Sequence, residues 1–327
     1  MTHHERLFTA IAGQSPDRVP IALWRHFPDA DQTAEGLAHA TLSFQKEFDF
    51  DLVKVTPASG YMAEAWGAQL IPKQNDEGTR DYVRRVVQRE RDWMNLQALD
   101  VTAGVLGREL RALSLIRREL PADTPVIQTI FSPLTTARNL AGERWLADLR
   151  GHPNELHAAL ELIARLTLEF ALENLQAGAE GIFFATQLAS YDYLSEGEYR
   201  TFGAAYDRLV LDRLARRAQL IILHIHGLNI MFDLLSAYPV QVIHWHDRRT
   251  APSLGEGHRR FSGLVAGGLE EREILQKGSV AAVRAQVKDA LAQTGGRRVM
   301  ISAGCVVPIN TPAENLRAAC DAMREFS

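Results

Sequence analysis

"LIILHIH", Leu220–His226, and "VQVIHWH", Val240–His246, are two aliphatic runs that end alike. Each closes on a pair of histidines one residue apart. In an extended strand residues i and i+2 point to the same side. His224 and His226 therefore share a face, as do His244 and His246. Working outward, six more short runs read as strands: "VPIALWR" (Val19–Arg25), "DLVKVT" (Asp51–Thr56), "PVIQTIF" (Pro125–Phe131), "GIFFAT" (Gly181–Thr186), "GLVAGG" (Gly263–Gly268) and "VMISAG" (Val299–Gly304). Between them lie stretches of helical period. Leu156, Leu160, Ile163, Leu166 and Phe170 recur on one face of a helix that closes on Gly178. Ser279 is a candidate N-cap for a helix closing on Gly295 and Gly296, and Thr311 precedes Pro312 at a first helical position. Eight strands, mostly separated by helices, predict a single α/β domain over residues 1–327, a (β/α)8 or TIM barrel rather than an open sheet. Residues 67–96 break the rhythm. Their alternating "DYVRRVVQ" predicts a small β-hairpin inserted after the second strand.

The chain has 327 residues, 46% hydrophobic and 23% charged, an ordinary globular composition. A formal net charge of -4 offers nothing to attract nucleic acid or an anionic membrane. The start, "MTHHERLFTAIAG", lacks the apolar core of a signal peptide, and its "THH" reads as a solvated terminus. No segment is long and apolar enough to span a bilayer, so the expected location is cytoplasmic. The two cysteines, Cys305 and Cys320, fall at an apparent strand end and in an apparent helix, not in a disulfide framework. Cys320, on the apolar face between Leu316 and Met323, reads as structural.

Barrel geometry gives the histidines a place, because catalytic groups in such barrels sit at the carboxyl ends of the strands. His224 and His226 end the fifth strand, His244 and His246 the sixth, and Cys305 the eighth. Zinc takes imidazole nitrogen and thiolate sulfur, and three protein ligands with one open position mark a catalytic site. His224, His226 and Cys305 make such a set. An H-x-H pattern alone is common; the shared rim is what carries the expectation. His246 is a candidate fourth ligand, partner of a ligand, or general base. Asp247 reads as the partner of Arg248 or Arg249 at a loop start, and the deeper His244 as a hydrogen-bonded core histidine. Arg25 ends the first strand, where a guanidinium suits a carboxylate or phosphate on a substrate or cofactor; a rim salt bridge is the alternative.

The order of segments resembles the uroporphyrinogen decarboxylase superfamily, which includes corrinoid-dependent methyltransferases. "DRVPIALWRHF" is similar to its first-strand segment, "FSPLTTARNLAG" to its third-strand loop, and "GAEGIFFATQLASYDYLSEGEYRTF" to its fourth-strand region. "LIILHIHG" resembles the fifth strand. "GLVAGGLEEREILQKGSVAAVRAQVKDAL" and "ISAGCVVPINTPAENLRAACDAM" resemble the last two units. The likeness is collinear over nearly the whole chain. It departs from the decarboxylase branch, which carries a pattern like R-Q-A-G-R after its first strand. Here "RHFPD" keeps Arg25 and has Asp29 in place of the second arginine. "VKVTPAS" lacks that branch's second-strand aspartate, and "GCVVP" stands where it has a histidine before glycine. Porphyrinogen decarboxylation is therefore not expected.

The methyltransferase branch binds zinc through H-x-C and a later cysteine. The resemblance implies His224 for the histidine, Cys305 for the later cysteine, and His226 in place of the first cysteine. With one thiolate instead of two, such a centre keeps a formal charge of +1. That favours deprotonation of a bound thiol, alcohol or water, and leaves the resulting anion a weaker nucleophile. The implied function is a zinc-dependent methyl exchange between a small-molecule donor or acceptor and a corrinoid, free or on a carrier protein. The resemblance also allows for a homodimer. Competing readings are a zinc hydrolase or lyase, and a non-catalytic binder of corrinoid or tetrapyrrole. The place of H-x-H on the fifth strand, not the first, argues against an amidohydrolase-like enzyme.

Overall fold

The computed structural model describes residues 1–326. Its strands are β1 (Val53–Val55), β2 (Gln69–Pro72), β3 (Arg80–Arg84), β4 (Val126–Phe131), β5 (Gly181–Thr186), β6 (Leu220–Ile225), β7 (Val242–Trp245), β8 (Leu264–Leu269) and β9 (Val299–Ala303). Seven of them form one curled parallel sheet in the order β1-β4-β5-β6-β7-β8-β9, and helices cover its outer face. The architecture is the α/β barrel that the alternation of strands and helices predicts.

The first strand differs from expectation. Val19–Arg25 contributes a single parallel bridge, Ile21 to Ile301 of β9, not a ladder. The Ala22 amide donates to the Ile301 carbonyl at 3.0 Å and the Ile301 amide to the Pro20 carbonyl at 2.9 Å. On its other edge the partner is Asp51. The Asp51 amide donates to the Ile21 carbonyl at 2.9 Å, and the Ile21 amide donates to Asp51 Oδ2 at 2.8 Å. A carboxylate thus takes the place of a strand carbonyl, and the ladder is interrupted there. Asp51 is fully buried; it also accepts from Arg6 (2.7 Å), Arg18 (2.6 Å) and His3 (2.9 Å). The "THH" start is therefore only partly solvated: Thr2 is exposed, but His3 is largely covered and tied to the seam. Thr2 caps the helix His3–Ile11 in a reciprocal box with Glu5, which aims His3 at the seam.

Strand alternation sorts the side chains. Val53 and Val55 pack outward against Leu37, Ala112 and Leu113 of the helices Ala34–Phe48 and Gly104–Glu119. Trp245 faces out as well, onto Phe232 and the helix Leu254–Arg260. A Cβ at Gly257 would come within 2.4 Å of the Trp245 ring, so only glycine lets that helix lie so close. The alternate set, including Trp24, His26, Lys54, Thr56, Phe183 and His224, points into the barrel and lines a central cavity.

β2 and β3 pair antiparallel, and their connecting turn reaches across the barrel mouth. The Ile309 amide donates to the Asp76 carbonyl at 2.6 Å, Gln276 donates to Asp76 Oδ2 at 2.7 Å, and Glu77 pairs with Arg272. Glu77 and Thr79 thereby join the cavity wall. Among the described residues no helix is long and apolar enough to cross a membrane.

Candidate active site

His224, the penultimate residue of β6, lies directly across from His244 of β7. The Ala303 carbonyl can only accept, so His244 donates to it from Nε2 at 2.6 Å. His244 Nδ1 is then the acceptor for His224 Nδ1–H at 2.7 Å. The relay leaves His224 Nε2 as a bare lone pair, 3.4 Å from His226 Nδ1 and 3.9 Å from Cys305 Sγ. Burial, reinforced by the neighbouring imidazoles and Lys54, holds His224 well below the ordinary histidine pKa. Burial likewise pushes His244 down to about 3. Both rings are neutral, as the relay requires.

A second relay aims His246. Glu271, just past β8, accepts from His246 Nδ1 at 3.0 Å and also from Arg249 at 3.2 Å. His246 Nε2 is thereby turned toward His226 Nδ1, at 3.3 Å. Cys305, two residues past β9, sits 3.8 Å from the same His226 nitrogen. One ligand atom each from His224, His226, His246 and Cys305 lies within 4.8 Å of the others. Burial opposes ionisation of Cys305, yet hydrogen bonding to His226 and His246 brings its thiol down to about 6. Burial would lower His246, but Cys305 and Glu271 outweigh it and raise the imidazole to about 10. Burial would raise Glu271, and His246 instead holds it down at about 2. One bare lone pair, at His224 Nε2, thus converges with the Cys305 sulfur and the ring nitrogens of His226 and His246, a set in which a metal cation would take the place of the shared protons. Two of those imidazoles donate their other nitrogen to a carbonyl relay or a carboxylate, the arrangement that orients metal-ligating histidines. The donor set fits zinc.

The sequence-derived residues divide. His224, His226, His246 and Cys305 come together. His244 is the buried relay partner, the hydrogen-bonded role its depth suggests. Asp247 accepts from the Gly268 amide at 3.0 Å and lies 3.7 Å from Arg248, outside the donor group. Arg25 is a correction. It lies one position out of phase with Trp24 and His26, which face the cavity, so it points to the opposite side. There it rests against Phe27 and Phe44 and donates to the Ile309 carbonyl at 2.9 Å, far from any role with an anion in this cavity.

Two residues escaped the reading of the sequence. Glu271 stands in "LEEREI", where the charged neighbours look alike; Glu270 instead caps the turn by accepting from the Arg272 and Ile274 amides. Lys54 is a lone cation in the apolar run "LVKVT", in phase with Thr56. That phase was the available signal.

Two cavities meet at the donor atoms. One, of about 150 Å³, is walled largely by Trp24, Phe131, Phe183 and Lys54. The other, of about 220 Å³, is more polar than the first, with Arg249, Glu271 and Arg272 facing Leu228 and Pro308. His226, Cys305, Val306 and Glu77 border both.

The family model for uroporphyrinogen decarboxylase (URO-D) matches residues 2–326. The chain belongs to the URO-D family. Within its reach are proteins named for a different reaction. The methylcobamide:CoM methyltransferase MtbA of Methanosarcina acetivorans is 23% identical over 99% of this chain and 98% of its own length. The methylcobamide:CoM methyltransferase MtaA of Methanosarcina barkeri is 22% identical over 98% and 97%. A solved methyltransferase from Methanosarcina mazei superposes with a TM-score of 0.86 at 20% identity, covering 100% of this chain and 99% of the other, which establishes the shared barrel.

Proposed function

We propose that this member of the URO-D family is a zinc-dependent methyltransferase that moves a methyl group between a small molecule and a corrinoid, free or on a carrier protein. The observation that carries the reading is the cluster of three imidazoles and one thiolate at the junction of two cavities. The collinear relatives named as methylcobamide methyltransferases support it.

His224 Nε2, His226 Nδ1 and Cys305 Sγ would hold the metal. When bound there, zinc supplies Lewis acidity that favours the anionic form of a coordinated thiol or alcohol. In the metal-free site the Cys305 thiolate and Glu271 keep His246 protonated; with a metal neutralising Cys305, His246 Nε2 would be freed to take the proton that the substrate gives up. Glu271 holds the opposite N–H and stabilises the imidazolium that results. Trp24, Phe131 and Phe183 keep water away from the reacting group. Two adjoining cavities allow both reactants to meet at one point without sharing a binding pocket.

The test is methyl exchange with methylcobalamin and a small thiol, followed by the visible spectrum of the cobalt. Demethylation is expected with the protein as purified, lost after chelation and restored by zinc. Exchange that persists in zinc-free protein overturns the mechanism. Carboxyl loss from uroporphyrinogen would overturn the choice of reaction as well.

A further inference from the structure

Only five of the chain's 36 lysines and arginines are lysines, and four of them, Lys46, Lys73, Lys277 and Lys288, are exposed. The fifth, Lys54, is 6% exposed and lines the smaller cavity. Among the described residues no carboxylate pairs with it; Glu77, the one carboxylate in that cavity's wall, is held by Arg272. One N–H of Lys54 donates to Thr56 Oγ1 at 3.1 Å. The rings of Phe183 and Trp24 lie 4.5 and 5.4 Å from Nζ, and a ring face accepts an N–H from a neutral amine as well as from an ammonium. These contacts leave the place of an amine lone pair without a protein partner. Burial penalises the charged form and brings the ammonium down to about 7, although Cys305 favours the charge. A chain so rich in arginine keeps a lysine at this point, and the chemical difference is that an amine can release its proton where a guanidinium cannot. A desolvated amine in an apolar pocket is a nucleophile.

We propose that Lys54 is a covalent capture site, where Nζ condenses with a small aldehyde or ketone to form an imine inside the barrel. The Nζ lone pair forms the C–N bond, and the carbonyl oxygen gains a proton as the nitrogen loses one. Thr56 Oγ1, already accepting from Nζ, is placed to pass that proton on. The new hydroxyl then leaves as water together with the second nitrogen-bound proton, and a C=N bond remains. Trp24, Phe131 and Phe183 suit a short apolar chain on the carbonyl carbon, and they keep out the bulk water that would reverse the condensation. No oxidant, reductant, metal or corrinoid takes part. The site is therefore independent of methyl exchange and adds a second chemistry, on carbonyl compounds, to the same cavity.

Reductive trapping tests it. The protein as purified is incubated with propanal and cyanoborohydride at neutral pH, and peptide mapping by mass spectrometry locates the propyl groups. Lys54 is expected to be labelled ~10-fold or more faster than any of the four exposed lysines, even though propanal must enter the cavity. An amine that titrates near neutrality is about half uncharged there, against on the order of a thousandth for an ordinary lysine. The preference should vanish in urea, where the cavity is gone. Thr56→Asp, which gives the ammonium a carboxylate partner, should slow the labelling of Lys54 by ~10-fold and leave the other four lysines unchanged. Lys54 labelled no faster than the exposed lysines overturns the proposal, and the unmodified protein alone decides this if the variant folds poorly. A preference that survives unfolding, or an unchanged rate in folded Thr56→Asp, overturns it as well. Methyl exchange is measured separately, with methylcobalamin and no aldehyde, so the failure of one reading is distinguishable from the failure of the other.

Discussion

Cys305→Ser is expected to empty the metal centre while leaving the barrel folded. The protein as purified should hold about one zinc per chain, and the variant less than about a tenth of that. Serine keeps the size of the side chain but offers a hydroxyl that stays protonated near neutral pH, so the anionic donor is gone. His226→Ala should behave alike, because His226 Nδ1 is the atom nearest to His224, His246 and Cys305 together. Glu271→Gln supplies the graded comparison. Glutamine can still accept from His246 Nδ1 but carries no charge; because His246 is assigned as the base and not as a ligand, the expected cost is roughly 10- to 100-fold in methyl exchange with the zinc retained. Elemental analysis measures the zinc, and the visible spectrum of the cobalt the exchange. Stoichiometric zinc in Cys305→Ser and in His226→Ala would show that the donors have been misassigned. Circular dichroism should show unchanged secondary structure throughout, since Cys305 lies past the end of β9 and contributes no ladder hydrogen bond.

Asp51→Ala is expected to cost about 3–5 kcal/mol, the range for removing one partner of a buried charge network, and to lower Tm by on the order of 10 °C. It leaves Arg6, Arg18 and the Ile21 amide without their acceptor at the place where the sheet closes. Asp17→Ala is the control. That carboxylate also binds Arg6 but is 39% exposed, and about 1 kcal/mol or less is expected from its loss. Thermal or urea unfolding separates the two; equal effects would mean that the seam depends on Arg6 and not on Asp51.

The seam also has a pH signature. Burial would raise the Asp51 carboxyl, but His3 and Arg18 lower it, so its contribution is present above the ordinary carboxylate value of 3.8 and is lost as pH falls through the lowered one. The hydrogen bond to Asp51 raises His3, so its contribution is complete below 6.5 and is lost as pH rises through the raised value. Unfolding across pH should therefore find the Asp51-dependent part of the stability greatest between those limits. A maximum on the alkaline side would contradict it.

Alternation of apolar runs with helical periods determined the barrel, and it did so because both signals are local. A strand buried on both faces must be apolar throughout, and a covering helix must repeat near every third or fourth residue. The rim positions of His224, His226, His246 and Cys305 followed from counting to the ends of strands. Parity was also in the sequence, and it separates Lys54 from Val53 and Val55, and Trp24 from Arg25. It became decisive only once the cavity fixed which face of each strand was inside. For Arg25 the end of a strand was not enough, because a side chain there can point to either side.

Other features could only come from tertiary structure. Asp51 acts as a surrogate strand carbonyl because Ile21, thirty positions earlier in the chain, arrives beside it. Glu271 acquires its role because the curl of the sheet brings the end of β8 against His246. The direction in which each histidine presents its lone pair rests on the Ala303 carbonyl in one case and the Glu271 carboxylate in the other. Such contacts join residues distant in the chain, and a sequence pattern has no term for them. Strand order and closure create them, and with them the difference between four histidines at a rim and a set of donors aimed at one point.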